Sequence, residues 1–173
     1  TLTTVDTFYV SEDGYLITPE KLDTGEYTLV EVQAPYGYVL DSTPIPFTVN
    51  SGNNEDVEGL TVITVTAYDQ AQKGTISISK TGEVFASVNV FGEEGEEQAL
   101  KGATYQVIAA EDITTGDGTV RAEEGQVVAE ITTGEDGIAK TGELYLGRYR
   151  IVETQAPDGF VLNADPQEVE LVY

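Results

Sequence analysis

Four residue types are missing from this sequence altogether: cysteine, histidine, methionine and tryptophan. Without cysteine there is no disulfide and no thiolate nucleophile. Without histidine the chain has no side chain that ordinarily titrates near neutral pH, and His/Cys metal sites are excluded with it. Positive charge is scarce, with Lys and Arg totalling 8 against 31 Asp and Glu, so the net charge is −23. Nucleic acid is disfavoured as a partner, because two polyanions repel. No apolar run approaches the roughly 18 residues of a membrane-spanning helix, and no signal peptide is present from which export could be read. The initiator methionine is also absent, and the abrupt start at Thr1 reads as a window cut from a longer chain.

What is present describes a folded acidic protein. Apolar residues make up 40% of the 173 positions and include 10 tyrosines, too many for a disordered acidic tail. That length suits one or two modest domains. The β signals dominate: stretches 26–31, 61–68, 74–80, 103–110, 126–132, 148–153 and 167–173 are rich in Val, Ile, Thr and Tyr. Turn dipeptides punctuate them at Asp13-Gly14, Asp117-Gly118, Asp136-Gly137 and Asp158-Gly159. No stretch keeps a helical apolar period over three turns, and Pro19 to Leu22 could form one short turn at most. Short strands at this spacing predict antiparallel sandwiches.

One phrase occurs twice. Residues 25–40 read GEYTLVEVQAPYGYVL and residues 147–162 read GRYRIVETQAPDGFVL, an offset of 122 residues. A repeat at that distance predicts tandem copies of one fold, with a boundary in the polar stretch Ala67–Gly74. The expected domains are therefore 1–73 and 74–173. In each copy strand alternation puts a lone carboxyl on the apolar face, as Tyr27-Leu29-Glu31 and as Tyr149-Ile151-Glu153. Burying a carboxylate there is costly unless it is neutral or paired. Lys80 likewise ends the apolar face carrying Ile76 and Ile78, and Asp69 ends the face of Ile63, Val65 and Ala67. A strand-end charge can also snorkel to solvent, which is the ordinary reading of any one such residue.

The repeated Y-x-(I/L)-V-E-x-x-A-P-x-G-(Y/F)-x-L resembles the E-box of the Cna B-type, or SpaA-like prealbumin-fold, domains of Gram-positive surface proteins and pilins. GTISISKTGEVF (74–85) looks like the first strand of such a domain ending in its reactive Lys. LKGATYQVIA (100–109) and TGEDGIAKTGELYLGRY (133–149) resemble the next strand and the approach to the E-box. The order covers essentially all of 74–173 and the later two-thirds of a copy in 1–73. The resemblance implies an all-β tandem of prealbumin-like sandwiches that crosslink themselves. In this family a Lys amine condenses with an Asn or Asp of the last strand, forming an intramolecular isopeptide bond. Burial keeps the amine neutral, and a neighbouring Glu, kept protonated by the same burial, stabilises the developing oxyanion.

Carried over by position, the resemblance makes Lys80 and Asp69 the crosslinking residues and Glu153 and Glu31 the isopeptide-promoting ones. The acceptor for Lys80 is expected downstream of Tyr173, since QEVELVY looks like a penultimate strand, and the amine for Asp69 upstream of Thr1. Domain one thus lacks N-terminal strands and domain two its last strand. Asn163, in the turn region after the E-box, is a poor substitute acceptor.

Three other features read more blandly. The run Glu93-Glu94-Gly95-Glu96-Glu97 could chelate calcium but lacks alternating EF-hand ligands, so a solvated hairpin tip is the better account. The tyrosines could line a sugar groove, yet most fall at strand-packing positions. The Asp-Gly pairs show no glycosidase spacing and read as hairpin turns. No metal site and no cofactor are expected, nor any activity beyond single-turnover crosslinking. The functional expectation is a stalk or shaft segment of an extracellular, wall-anchored adhesin or pilin-like protein, whose partners are neighbouring modules of the same longer chain. The alternative is a ligand-binding adhesin region recognising a host protein or glycan. Neither an L-P-x-T-G sorting signal nor a Y-P-K pilin motif occurs.

Overall fold

A computed structural model describes residues 3–18, 21–50, 55–57, 60–84 and 96–173. Its regular structure is all strand, with no helix among the described residues. Two compact units arise, one from 1–32 and 42–68, the other from 33–41 and 69–173.

In the first unit, β1 (Gly25–Leu29) pairs antiparallel with β2 (Ile45–Val49), Tyr27 opposite Phe47. Those two rings stack at 5.6 Å, and Tyr27 Oη donates to Asp23 O at 3.0 Å. A second short hairpin joins Glu55–Val57 to Leu60–Val62. None of the described residues of this unit is fully buried.

The second unit holds the core. Its strands include β3 (Ser77–Ser79), β4 (Thr81–Val84), β5 (Glu96–Ala99), β6 (Thr104–Ala109), β7 (Val127–Thr132), β8 (Ile138–Lys140), β9 (Gly147–Gln155) and β10 (Gln167–Leu171). One layer is a four-stranded sheet ordered β7-β6-β9-β10. The other sets β3 against β8, and its pairing continues as Lys73–Gly74 against Leu144–Tyr145. Between those stretches Thr141 Oγ1 accepts the Ile76 N–H while the Thr141 N–H donates to Ile76 O, both at 2.9 Å. Strand alternation decides what goes inside. Along β6, Tyr105, Val107 and Ala109 are buried; along β9, Tyr149, Ile151 and Glu153. Ile76 and Leu144 meet them from the facing layer, so the core is a sandwich interior.

Several expectations shift. The stretch 61–68 forms a strand only to Val62, and residues 63–69 form none. Its alternating sequence has β propensity, but no described strand supplies a ladder for it, and propensity without a partner does not hold a strand. Asp69, expected on a last strand, is therefore half-buried outside any strand. Glu31 is also half-buried and lies past the end of β1 at Leu29. Lys21 and Leu22 show no helical turn, and Pro19 and Glu20 lie outside the described residues. Of the acidic run, 93–95 lie outside them too, while Glu96 and Glu97 open β5. All four Asp-Gly glycines have positive φ, between 70 and 86°, as tight turns require.

Candidate functional site

Lys80 is placed by backbone pairing on both sides of it. Its N–H donates to Gly137 O at 2.8 Å, one step beyond the β3–β8 ladder, and its carbonyl accepts the Leu100 N–H at 2.9 Å. The Asp136-Gly137 turn makes this approach possible. Gly137 has φ +70°, and a Cβ there would lie 2.6 Å from Lys80 O, a clash any larger residue would bring. Because Ile76 and Ile78 point inward, the Lys80 side chain leaves β3 on the same face, and it is 21% exposed.

Glu153 is the third inward residue of β9, opposite Tyr105 of β6, and its side chain is 2% exposed. Lys80 Nζ lies 3.0 Å from Oε1, which also accepts the Tyr105 hydroxyl at 3.3 Å. Oε2 accepts the main-chain N–H of Asn163 at 2.9 Å. The A-P-x-G-F segment explains how a residue ten positions on reaches back. The Phe160 N–H donates to Pro157 O at 3.0 Å, turning the chain, and the Phe160 ring packs over Gly82, where an added Cβ would come within 2.6 Å of it. The Asn163 side chain is used locally, its Oδ1 accepting the Asp165 N–H at 3.1 Å.

Burial pushes the Glu153 carboxyl up, but the Asn163 N–H, the Lys80 ammonium and the Tyr105 hydroxyl together pull it below its ordinary value of 4.5. Three donors converging on the Glu153 carboxyl favour its ionised form. The same surroundings act on Tyr105, whose hydroxyl is pushed up to about 12 by burial and then by the neighbouring carboxylate.

Of the four residues singled out in the sequence, the structure brings Lys80 and Glu153 together. Glu31 and Asp69 belong to different compact units and are each half-buried. Sequence reasoning overlooked Tyr105 and the Asn163 N–H. The Tyr of L-x-G-A-x-Y was a visible signal for the first. A main-chain donor has no signature in side-chain identity. Among the described residues no cluster of metal-ligating side chains occurs.

A family model for the SpaA prealbumin-like fold domain matches residues 1–63 and 74–172. No curated protein matches the chain. Among solved structures, the Bacillus anthracis TIE protein is 28% identical with a TM-score of 0.57, the match covering 86% of this chain and 22% of that one. The T6 backbone pilin of serotype M6 Streptococcus pyogenes is 21% identical (TM-score 0.41), covering 58% of this chain and 16% of that one. A streptococcal ancillary pilin is 22% identical (TM-score 0.39), with 88% and 39% covered. The chain therefore spans about a fifth of the TIE protein's length. With the family model matching nearly its whole length, the chain belongs to the SpaA prealbumin-like fold domain family.

Proposed function

We propose that the chain forms two structural modules, 1–73 and 74–173, of the stalk of an exported, wall-anchored surface protein, and that Lys80 closes a self-made amide crosslink in the second. The observation that carries the reading is the 3.0 Å contact between Lys80 and the buried Glu153 carboxyl, a costly arrangement for an inert spacer. Passing one proton from Nζ to Oε1 converts the ion pair into a neutral amine and a carboxylic acid, with no change in total charge. The amine attacks the side-chain carbonyl carbon of an Asn or Asp acceptor. Glu153 then hydrogen-bonds the developing oxyanion, delivers its proton to the departing ammonia or water, and takes up the second proton of the attacking nitrogen. The C–N amide bond forms as the acceptor's C–N or C–O bond breaks.

The acceptor belongs on a strand that continues the sheet beside β3, which pairs only with β8 among the described residues. Such a bond joins distant strands and restricts the unfolded chain as a disulfide does, worth about 4 kcal/mol for a long loop, and it cannot be reduced. Neighbouring modules of the same chain are the expected partners.

Intact-mass measurement of the natural protein containing this chain tests the proposal. A loss of one ammonia or one water per bond is expected, with the second-module loss abolished by Lys80→Ala. A folded protein of uncorrected mass would leave a stalk held by its hydrophobic core alone.

A further inference from the structure

We infer that Tyr105 is a positioning residue for the Lys80–Glu153 pair, its hydroxyl and the Asn163 N–H together fixing the plane of the carboxyl so that its edge faces the amine. This rests on the crosslinking reading of the same site and adds to it a third side chain.

A carboxyl group on a two-carbon stem can rotate about its last bond and offer either oxygen to a neighbour. Here Oε2 is engaged by a main-chain donor at 2.9 Å, anchored by the turn at Pro157–Phe160. Oε1 receives two donors, the Lys80 ammonium at 3.0 Å and the Tyr105 hydroxyl at 3.3 Å. Turning the carboxyl plane away from this orientation would weaken all three contacts inside a site where Glu153 is almost wholly buried, and an unmade hydrogen bond there is expensive. Tyr105 is itself held: it sits opposite Glu153 in the β6–β9 register, opposite Ile131 on its other side, and is 9% exposed. A strand-mounted ring in a packed layer is a rigid bracket, so Glu153 is oriented before any acceptor arrives.

A hydroxyl donating to the carboxylate also favours its ionised form. Tyr105 therefore opposes the proton transfer from Lys80 slightly while it orients the group that accepts the proton. Removing the hydroxyl should loosen the geometry and make Glu153 easier to protonate, and these two effects can be separated.

The test is Tyr105→Phe, which keeps the ring and deletes only the hydroxyl. In the natural protein containing this chain, the crosslinking rate after refolding should fall several-fold, and the acid limb of its pH profile should move to higher pH. The Glu153 carboxyl carbon, followed by NMR in a Lys80→Ala background where no bond can form, should titrate at higher pH when Tyr105 is also Phe. An unshifted Glu153 titration, or a slower rate with an unmoved acid limb, would overturn the inference and reduce Tyr105 to packing. If the unsubstituted protein shows no mass deficit at all, the crosslinking reading fails instead, while the titration still reports whether Tyr105 holds the carboxyl.

Discussion

At the scale of single residues, the charge of this site is decided by how many donors meet Glu153. Burial alone would raise its pKa; three hydrogen bonds outweigh burial and lower it. A carboxyl whose folded pKa is depressed contributes stability that is present above its unfolded value and lost as pH falls through the lower folded one. With Lys80 still uncrosslinked, thermal melts of the Lys80→Ala and unsubstituted proteins should therefore converge as pH falls below the ordinary Glu value of 4.5 and Glu153 loses its attraction to Lys80. Glu153→Gln should cost about 3 kcal/mol at neutral pH, because it strands a partly buried ammonium without its counter-ion. Denaturant unfolding measures this directly. A loss below about 1 kcal/mol would mean that Lys80 simply turns to solvent through its exposed side.

At the scale of elements, turns do as much as strands to build the site. The Asp136-Gly137 turn lets the β3 backbone end against its own carbonyl, and Lys80 is aimed from there. Gly137→Ala combines a left-handed φ with a 2.6 Å clash against Lys80 O, so it should destabilise by about 2–3 kcal/mol and displace Lys80. Gly159 has φ +86° but nothing within 4 Å of an added Cβ. Gly159→Ala should therefore cost only about 1 kcal/mol of backbone strain. Comparing the two melting temperatures separates conformational strain from steric conflict. The A-P-x-G-F segment has a similar role, bending the chain so that the Asn163 N–H caps the buried carboxylate.

At the scale of the whole molecule, stability is unevenly distributed. The fully buried residues among those described, such as Val107 at 0% and Tyr149 at 2% exposure, all lie in the second unit. Amide hydrogen exchange should accordingly show the slowest exchange in β6 and β9 and much faster exchange in β1 and β2, since protection follows local burial. Equal protection in both units would contradict this. A net charge of −23 also means self-repulsion, which added salt screens.

The sequence by itself determined the all-β class, the duplicated E-box, the four Asp-Gly turns and the inward face shared by Ile76, Ile78 and Lys80. Each of these is local: a period of two, a turn residue and a repeated phrase are all written in adjacent letters. The Tyr149-Ile151-Glu153 face was legible for the same reason, down to its buried acid. Three things were decided only in three dimensions. The strand expected over 61–68 ends at Val62, because a strand exists by pairing and the partner is set by topology, not by the segment's own residues. The surroundings of the Glu153 carboxyl are another, because its donors come from Tyr105, 48 positions earlier in the chain, and from the main chain of Asn163. Lys80 and Glu153 lie 73 residues apart in sequence, and their 3.0 Å contact follows from packing the β3–β8 layer over the four-stranded sheet. Propensity and pattern act within a segment, whereas ion pairs, donors and ladders depend on which segments the fold brings together.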